Sequence, residues 1–184
     1  MKIRFIEPGN RPYKPTPLNY FVYDRYIRTP SVGLNTLATI VKKKYKDTLM
    51  YSESISRIPL DDILDADVIF IGIFTFAAVR GYKIARFLKK RSKAVIVLGG
   101  LHASMNYKEA VRFCDYVLLG EGDETILRFL DAWEKHLPVD FPGVAYRRNG
   151  RTVFWGYPDP PQNIDTIPDR NLVYNYQKMA EHNT

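Results

Sequence analysis

Ala94-Val-Ile-Val-Leu-Gly-Gly-Leu-His102 runs from an apolar segment into two glycine residues, and Leu118-Leu-Gly-Glu-Gly122 repeats this pattern a short way downstream. Apolar runs without alternating polar positions are typical of strands that are buried on both faces of a parallel sheet. Glycine residues at the end of a strand allow another group to approach the backbone closely. Because ligands of open α/β sheets bind outside the carboxyl ends of the strands, the two stretches predict a binding edge.

Strand and helix patterns alternate along the rest of the sequence. Runs of strand character occupy residues 2–7, 48–51, 67–76, 94–98 and 116–119, and apolar residues at helical spacing lie between them. This order predicts a doubly wound, flavodoxin-like (Rossmann-like) parallel sheet of about five strands in an α/β domain. Asn106, followed by Glu109, has the spacing of a capping box and predicts a helix start. Asn149-Gly150, flanked by apolar residues, predicts a β-hairpin.

The predicted organisation has three parts. Residues 1–137 form the α/β domain, residues 138–156 form a hairpin appendage, and the proline-rich residues 157–184 form a linker. Residues 9–32 interrupt the first part, because they combine four prolines with five tyrosine or phenylalanine residues and show no regular period. A connection of this length is usually functional or disordered. An ordered aromatic flap beside the binding edge and an aromatic loop without a ligand role both remain open.

Composition excludes several classes of protein. The chain of 184 residues is 46% hydrophobic and 26% charged, as in ordinary soluble domains. Its net charge of +7 comes without a nucleic-acid-binding motif, so a nucleic-acid partner is not expected. Cys114 is the only cysteine, which excludes internal disulfides and an iron–sulfur cluster held by this chain alone, and it is predicted to be a core residue. Without a signal peptide or an apolar run of about 20 residues, we expect a cytoplasmic protein with no membrane partner.

Four predicted strand ends meet at the binding edge. The candidate binding residues there are Pro8, Gly9, Asn10, Phe74, Thr75, Phe76, Gly99, Gly100, Leu101, His102, Ala103, Gly120, Glu121, Gly122 and Glu124. The first strand lacks the Gly-x-Gly-x-x-Gly of dinucleotide folds, and no phosphate-binding P-loop sequence occurs. The Ser/Thr-rich loop of flavodoxins is also missing, and Thr75 stands where a response-regulator receiver requires an acid.

The glycine-rich stretches carry a resemblance. Gly99-Gly-Leu-His-Ala103 and Asp115-Tyr-Val-Leu-Leu-Gly-Glu-Gly-Asp-Glu-Thr125 resemble the Gly-Gly-x-His and Gly-Glu-Gly-Glu pattern of the cobalamin (vitamin B12)-binding domain in cobalamin-dependent radical S-adenosylmethionine enzymes. Pro30-Ser-Val-Gly-Leu34 and Ile167-Pro-Asp-Arg170 match two further elements, so the resemblance extends along essentially the whole chain. It implies that the corrin lies over the strand ends and that the nucleotide tail enters a slot along the sheet.

The resemblance also implies roles for single residues. Thr75 and Gly99-Gly100 match the positions that line the slot in cobalamin domains. The Asp-x-His-x-x-Gly element is absent, since residues 8–17 contain no histidine, so base-off cobalamin without a histidine ligand from that loop is expected. For His102, contact with corrin amides or phosphate, structural capping and cobalt ligation remain open. Glu121 either accepts hydrogen bonds from corrin propionamides or caps the following helix. No residue is predicted to be catalytic or to bind a metal.

Members of this family carry Cys-x-x-x-Cys-x-x-Cys in a second domain, which binds the [4Fe–4S] cluster that cleaves S-adenosylmethionine. This sequence has no such motif. The resemblance therefore implies a cobalamin-binding module of a methyltransferase-like radical enzyme, with a radical S-adenosylmethionine domain as its partner and a small-molecule substrate. Two alternatives remain open: a stand-alone cobalamin carrier or sensor, and another small-molecule-binding α/β domain.

Overall fold

The computed structural model describes residues 1–9, 29–162 and 165–177. Within these ranges one sheet contains the strands β1 (Lys2–Glu7), β2 (Asp47–Ser52), β3 (Val68–Gly72), β4 (Val95–Gly99), β5 (Tyr116–Leu118), β6 (Val144–Arg148) and β7 (Arg151–Phe154). The helices are α1 (Val32–Lys44), α2 (Leu60–Leu64), α3 (Ala78–Arg91), α4 (Leu101–Met105), α5 (Tyr107–Ala110) and α6 (Thr125–Glu134). None of the helices in the described ranges has the length and apolar character of a membrane span.

The sheet confirms the predicted fold class. Its strand order is β2-β1-β3-β4-β5-β6-β7, and the pairs among the first five strands are all parallel. The order 2-1-3-4-5 is that of flavodoxin-like folds, in which the chain reverses direction across the sheet between β1 and β3. Ligands of such folds bind at this reversal, outside the carboxyl ends of the strands.

The hairpin continues the same sheet. β6 pairs with β5 and β7 pairs with β6, both antiparallel, so the described sheet has seven strands where the sequence predicted five and a separate appendage. Asn149 and Gly150 join the two strands with φ angles of 51° and 78°. Two successive left-handed residues make the type I′ turn that matches the twist of antiparallel strands. The Asn-Gly prediction is therefore confirmed.

The sheet has a hydrophobic core on each face, because its strands are buried on both sides. The first face is covered by α1 and α6, where the ring centroid of Phe70 lies 5.0 Å from that of Phe5 and 6.1 Å from that of Phe129. The second face is covered by α2 to α5 and contains the fully buried Ile73 and Leu98. Large apolar side chains that are withdrawn from water in this way supply most of the stabilisation of such a domain.

After β7 the chain crosses the carboxyl edge of the sheet and returns to β2. We call this segment the strap, residues 157–162 and 165–177. Its Asp169 N–H donates to Thr39 Oγ1 at 2.8 Å, and its Tyr174 N–H donates to the Met50 carbonyl oxygen at 2.8 Å. Leu172 is buried in the core of the first face. The described part of the predicted linker therefore packs against the domain.

Candidate functional site

A cavity of about 740 Å³ opens at the carboxyl edge, on the first face. The sheet forms its floor, α1 and the start of α6 form its walls, and the strap reaches its rim. This volume is in the range of small-molecule and cofactor sites. Its lining comprises Phe5, Ser31, Gly33, Leu34, Thr36, Leu37, Phe70, Ile71, Gly72, Ile73, Phe74, Leu98, Gly99, Gly100, Leu101, Ser104, Leu118, Gly120, Glu121, Gly122, Asp123, Ile126, Pro160 and Pro161.

The floor of the cavity contains two glycine residues that are paired across the sheet. Gly72 ends β3, Gly99 ends β4, and the two are register partners across the sheet. Since alternate residues of a strand point to the same face, both glycines lie on the first face with Phe70. A Cβ atom on Gly72 would lie 3.0 Å from Leu34 Cδ1, whereas one on Gly99 would meet nothing closer than the Leu118 carbonyl oxygen at 3.7 Å. The missing side chain at Gly99 therefore leaves space above the sheet, and the one at Gly72 lets Leu34 of α1 pack closely against β3.

The walls are held in place by α1 and by the loop between β5 and α6. Ser31 caps α1, because its Oγ accepts a hydrogen bond from Leu34 N at 3.3 Å. This fixes Leu34 and Leu37 above the floor. A Cβ atom on Gly122 would lie 3.0 Å from Leu37 Cδ1, so the second glycine-rich stretch packs closely against α1. The two predicted stretches thus bound the same cavity.

The absence of a side chain at Gly100 is required by its backbone conformation and by a close backbone contact. Its φ and ψ of 87° and 172° lie in a region that only glycine readily adopts. A Cβ atom there would lie 2.9 Å from both the N and O atoms of Ile73. The same Ile73 donates its N–H to the Gly99 carbonyl oxygen at 2.8 Å and accepts from His102 N at 3.1 Å. Gly100 therefore allows the close approach and the hydrogen bonds that join the ends of β3 and β4.

His102 lies on the second face, beside α3. Its Nδ1 is 3.4 Å from Thr75 Oγ1 and 3.4 Å from Asn106 Nδ2, and its ring centroid is 5.9 Å from that of Tyr82. Its Nε2 is buried and has no hydrogen-bond partner in the described structure. Asn106 makes no capping bond and donates to the His102 carbonyl oxygen instead, so the predicted capping box is wrong.

The cavity gathers about half of the residues that the sequence predicted for the binding edge. Those that line it are Phe74, Gly99, Gly100, Leu101, Gly120, Glu121 and Gly122. Those that do not are Pro8, Gly9, Thr75, Phe76, His102, Ala103 and Glu124. Asn10 and residues 11–28 of the predicted flap lie outside the described residues.

The residues beyond the cavity have other contacts. Pro8 faces α3, since its Cγ would lie 3.4 Å from a Cβ atom on Gly81. Gly9 donates its N–H to Glu53 Oε2 at 2.9 Å, and Ala103 is a core residue of the second face. Glu124 Oε1 accepts from the strap, at 3.2 Å from Gln162 N. The ends of parallel strands lie at the same edge of the sheet, but successive side chains point to opposite faces. A cavity on one face is therefore lined only by the residues that point to that face.

Sequence reasoning missed the α1 wall and one floor position. The cavity is lined by Leu34 and Leu37 of α1, whose helical spacing is also typical of ordinary core packing. It is also lined by Ser104 of α4. Gly72 carried a usable signal, because Val68-Ile-Phe-Ile-Gly72 repeats the pattern of Val95-Ile-Val-Leu-Gly99. Two buried strands that both end in glycine, when paired in register, predict a gap on one face.

An exposed apolar patch adjoins the mouth of the cavity. Phe74 and Phe76 stack with ring centroids 5.6 Å apart and are 40% and 65% exposed. Leu101 and Met105 are 60% and 71% exposed. Contiguous exposed apolar residues mark surfaces that bind ligands or partners. The cavity and this patch together offer apolar contact at the edge where ligands of such folds bind.

Burial raises the pKa of a carboxyl and of a thiol among the described residues of this domain. Burial raises the pKa of the Glu7 carboxyl, whose Oε1 accepts from Ser31 N at 2.8 Å. Burial also raises the pKa of Cys114 to about 12, and its Sγ donates to the Ala110 carbonyl oxygen at 3.3 Å, in agreement with the predicted core role. In the part of the chain that the structure describes, no cluster of three or more His, Cys, Asp and Glu side chains is arranged to hold a metal ion. The arrangement can bind and orient a ligand.

Comparison with known proteins supports this architecture. No protein-family model matches the sequence. Over 86 residues the chain is 40% identical to bacteriochlorophyllide d C-8(2)-methyltransferase of Chlorobaculum tepidum, a match that covers 44% of this chain and 19% of that protein. The chain therefore spans about a fifth of this curated relative.

Solved structures share the fold along nearly the whole chain. The cobalamin-dependent S-adenosylmethionine radical enzyme OxsB, with aqua-cobalamin bound, aligns with a TM-score of 0.69 at 13% identity, over 98% of this chain and 25% of that chain. The radical S-adenosylmethionine methyltransferase TsrM of Kitasatospora setae, with cobalamin and a [4Fe-4S] cluster bound, aligns with a TM-score of 0.62 at 13% identity, over 90% of this chain and 30% of that chain. At the level of fold, the resemblance seen in the sequence is confirmed.

Proposed function

We propose that this chain is the cobalamin-binding module of a radical S-adenosylmethionine enzyme of the methyltransferase type. The observation that carries the proposal is the cavity on the first face, whose floor is the register pair of Gly72 and Gly99. A group that enters between a sheet and its covering helix needs positions without side chains, and Gly99 provides one, while Gly72 lets Leu34 pack close to the sheet. The shared fold of OxsB and TsrM supports the same assignment.

The residues present fit the nucleotide tail of cobalamin. The cavity is largely apolar, with Leu34 and Leu37 above the floor, and it has few polar groups. Ser104 is buried and lines the cavity, and its Oγ accepts from Gly120 N at 3.1 Å. A hydroxyl that accepts one bond can still donate its proton to a ring nitrogen. In this proposal Ser104 supplies the hydroxyl that the sequence assigned to Thr75.

The corrin would lie on the carboxyl edge, against the exposed patch of Phe74, Phe76 and Leu101. Glu121 lines the mouth and is exposed, so its carboxylate is free to accept hydrogen bonds from side-chain amides of the corrin. Cobalamin, when bound, supplies a cobalt atom that carries a methyl group. The residues of this chain bind the cofactor and orient it, and the proposal assigns them no catalytic step.

We propose the base-off form, without a histidine ligand from this module. No histidine lines the described cavity, and His102 lies beside α3, in contact with Thr75 and Asn106. This position favours structural capping among the three roles that the sequence left open.

The proposal adds a radical S-adenosylmethionine domain as the partner, which would hold the [4Fe–4S] cluster, S-adenosylmethionine and the small-molecule substrate. It also includes a cytoplasmic location, with which the unpaired Cys114 agrees.

A cobalamin titration followed by visible spectroscopy tests the proposal. We expect saturable binding and the spectrum of the base-off form. Gly99→Phe places a ring in the cavity at a position where a Cβ atom has ordinary contacts, so this variant should fold and lose binding by at least about 100-fold. Val79→Phe adds the same ring at an exposed α3 position outside the cavity and serves as the matched control.

The outcomes separate the alternatives. Equal binding by the two variants would place cobalamin elsewhere on the chain. A base-on spectrum would contradict the base-off form but keep the module. No binding by the wild-type chain at tens of micromolar would favour another small-molecule ligand, and the cavity would then be screened with other cofactors. Turnover by the chain without a partner domain would contradict the role of a binding module.

A further inference from the structure

A second concave site lies on the second face, between α5 and the hairpin. This groove has a volume of about 310 Å³ and shares no lining residue with the cavity. Its lining comprises Tyr107, Lys108, Val111, Arg112, Arg147, Gly150, Thr152 and Phe154. The proposed function makes no use of it.

The charge of the groove is entirely positive. Lys108, Arg112 and Arg147 line it, and no acidic residue does. All three cations are exposed, and among the described residues none of them takes part in an ion pair. Three unpaired cations around one concave surface raise the local concentration of anions.

Local structure aims the three cations at the same space. Lys108 lies on α5 and Arg112 in the turn directly after it, and both side chains line the groove. Arg147 is the register partner of Thr152, and both therefore point to the groove side of the hairpin. Arg147 Nε donates to the Gly150 carbonyl oxygen at 3.2 Å, which restricts the guanidinium before any ligand arrives.

A pair of aromatic rings makes the remaining wall rigid. The rings of Tyr107 and Phe154 stack with centroids 4.6 Å apart and planes 14° apart. Tyr157 packs edge-on against Phe154 at 5.6 Å, so the wall is supported from behind. A wall fixed in this way keeps Lys108, on α5, at a constant position relative to the hairpin.

We propose that this groove binds a phosphate-type oxyanion, namely the phosphate or diphosphate group of a small ligand. Guanidinium groups match the geometry of phosphate oxygens, and the Thr152 hydroxyl adds a neutral donor. The volume admits such a group and excludes a folded partner. Arg148 and Arg151 are register partners on the opposite face of the hairpin, and their like charges add to the positive potential around it. The inference does not depend on cobalamin binding.

Calorimetric titration of the whole chain with pyrophosphate at low ionic strength tests the site. We expect saturable one-to-one binding that weakens as salt is added. Arg112→Gln and Arg147→Gln should each weaken binding roughly tenfold, because each removes a charge-assisted hydrogen bond. Arg91→Gln removes one exposed charge at the end of α3, outside the groove, and should leave the affinity within about twofold.

A second arm identifies the source of the phosphate. If adenosine diphosphate binds as tightly as pyrophosphate, the groove recognises the diphosphate alone; if it binds more tightly, the organic part contacts the aromatic wall. Both results support the site. Equal weakening by Arg91→Gln and by the groove variants would overturn it, because binding would then follow net charge. Absence of saturable binding, or binding of a single-stranded oligonucleotide without binding of pyrophosphate, would also overturn it.

Discussion

The two faces of the sheet differ most where the strands end. On the first face the space above Gly99 is open, and the cavity occupies it, whereas Leu34 packs closely over Gly72. On the second face the equivalent level is filled by Ile73, Tyr82 and the His102 ring, which pack against one another. The same apolar strands form both faces of the sheet. Gly99 at the end of β4 therefore contributes to the opening of the cavity on the first face.

The Gly99-Gly-Leu-His102 motif spans both faces, and its residues have separate tasks. Gly99 leaves space on the first face, whereas Gly100 provides a backbone conformation that other residues adopt only with strain. His102 packs on the second face. A short motif at a strand end thus serves the cavity with one residue and the surrounding fold with the next. The first of the following predictions tests this division, and the others test the packing of the two faces and the end of β1.

Gly100→Ala should have the largest effect on stability. Its Cβ atom would lie 2.9 Å from two backbone atoms of Ile73, and its φ of 87° is unfavourable for alanine, so we expect a loss of about 3 kcal/mol in the free energy of unfolding. Gly99→Ala is the matched control and should change it by less than about 1 kcal/mol. Urea denaturation of both variants measures the difference. Similar losses would contradict the separate tasks of the two glycines.

Leu172→Ala tests whether the strap is part of the first face. Leu172 is 5% exposed in that core, and its truncation should lower the free energy of unfolding by about 2–3 kcal/mol. Ile167→Ala, in the same segment but 86% exposed, should cost less than about 0.5 kcal/mol. Thermal and urea denaturation provide the comparison. If Leu172→Ala costs no more than the control, the strap does not contribute to the core in solution.

A pair of tyrosine variants tests how tightly the second face is closed. Tyr82 is buried and its hydroxyl has no partner in the described structure, so Tyr82→Phe should be neutral or stabilising by up to about 1 kcal/mol. Tyr51 is buried on the same face, but it donates to Asp62 Oδ2 at 2.6 Å, so Tyr51→Phe should destabilise by about 1–2 kcal/mol. Destabilisation by Tyr82→Phe equal to that of Tyr51→Phe would indicate a water or ligand bound to Tyr82.

The smallest effect concerns pH at the end of β1. Because burial raises the pKa of Glu7, the folded state binds this proton more tightly than the unfolded chain does. The contribution is fully present below the ordinary carboxyl pKa of about 4.3 and is lost as pH rises through the raised value. Glu7→Gln keeps an acceptor for Ser31 N–H without the charge, so the stability of the variant relative to wild type should rise between pH 4 and pH 7. A difference that does not change with pH would contradict the raised pKa.

Local patterns predicted most of the fold. The order of strands and helices, the Asn149-Gly150 turn and the buried Cys114 follow from periodicity, turn chemistry and hydrophobicity, which act over short stretches of chain. The two glycine-rich stretches correctly indicated the edge at which the cavity opens. In each of these cases the information lies within a few neighbouring residues.

Features that depend on long-range packing were not predictable in this way. Helix α4 was not predicted, and it forms because Gly100 allows the chain to turn directly from β4 into it, whereas α5 begins directly after Asn106 as expected. The hairpin joins the sheet because β5 offers an unpaired edge, which the hairpin sequence alone does not reveal. His102 and Thr75 were predicted at the binding edge but do not line the cavity, because their faces depend on how α3 and α4 pack.

The strap has a consequence for the order of folding. The hydrogen bond from Asp169 to Thr39 joins residues 130 positions apart in sequence, and the bond from Tyr174 to Met50 is similarly distant. Contacts of this kind form late, because the intervening chain must first be ordered. We therefore expect the rim of the cavity near Pro160 and Pro161 to be completed after the sheet. We expect pulse-labelled hydrogen exchange to show protection of the Asp169 and Tyr174 amides after that of the β3 and β4 amides, and simultaneous protection would contradict this order. The domain would then pass through a stage at which the floor and walls of the cavity are formed but the strap has not yet packed at its rim. At that stage a bulky cofactor could enter the cavity from the side of the strap.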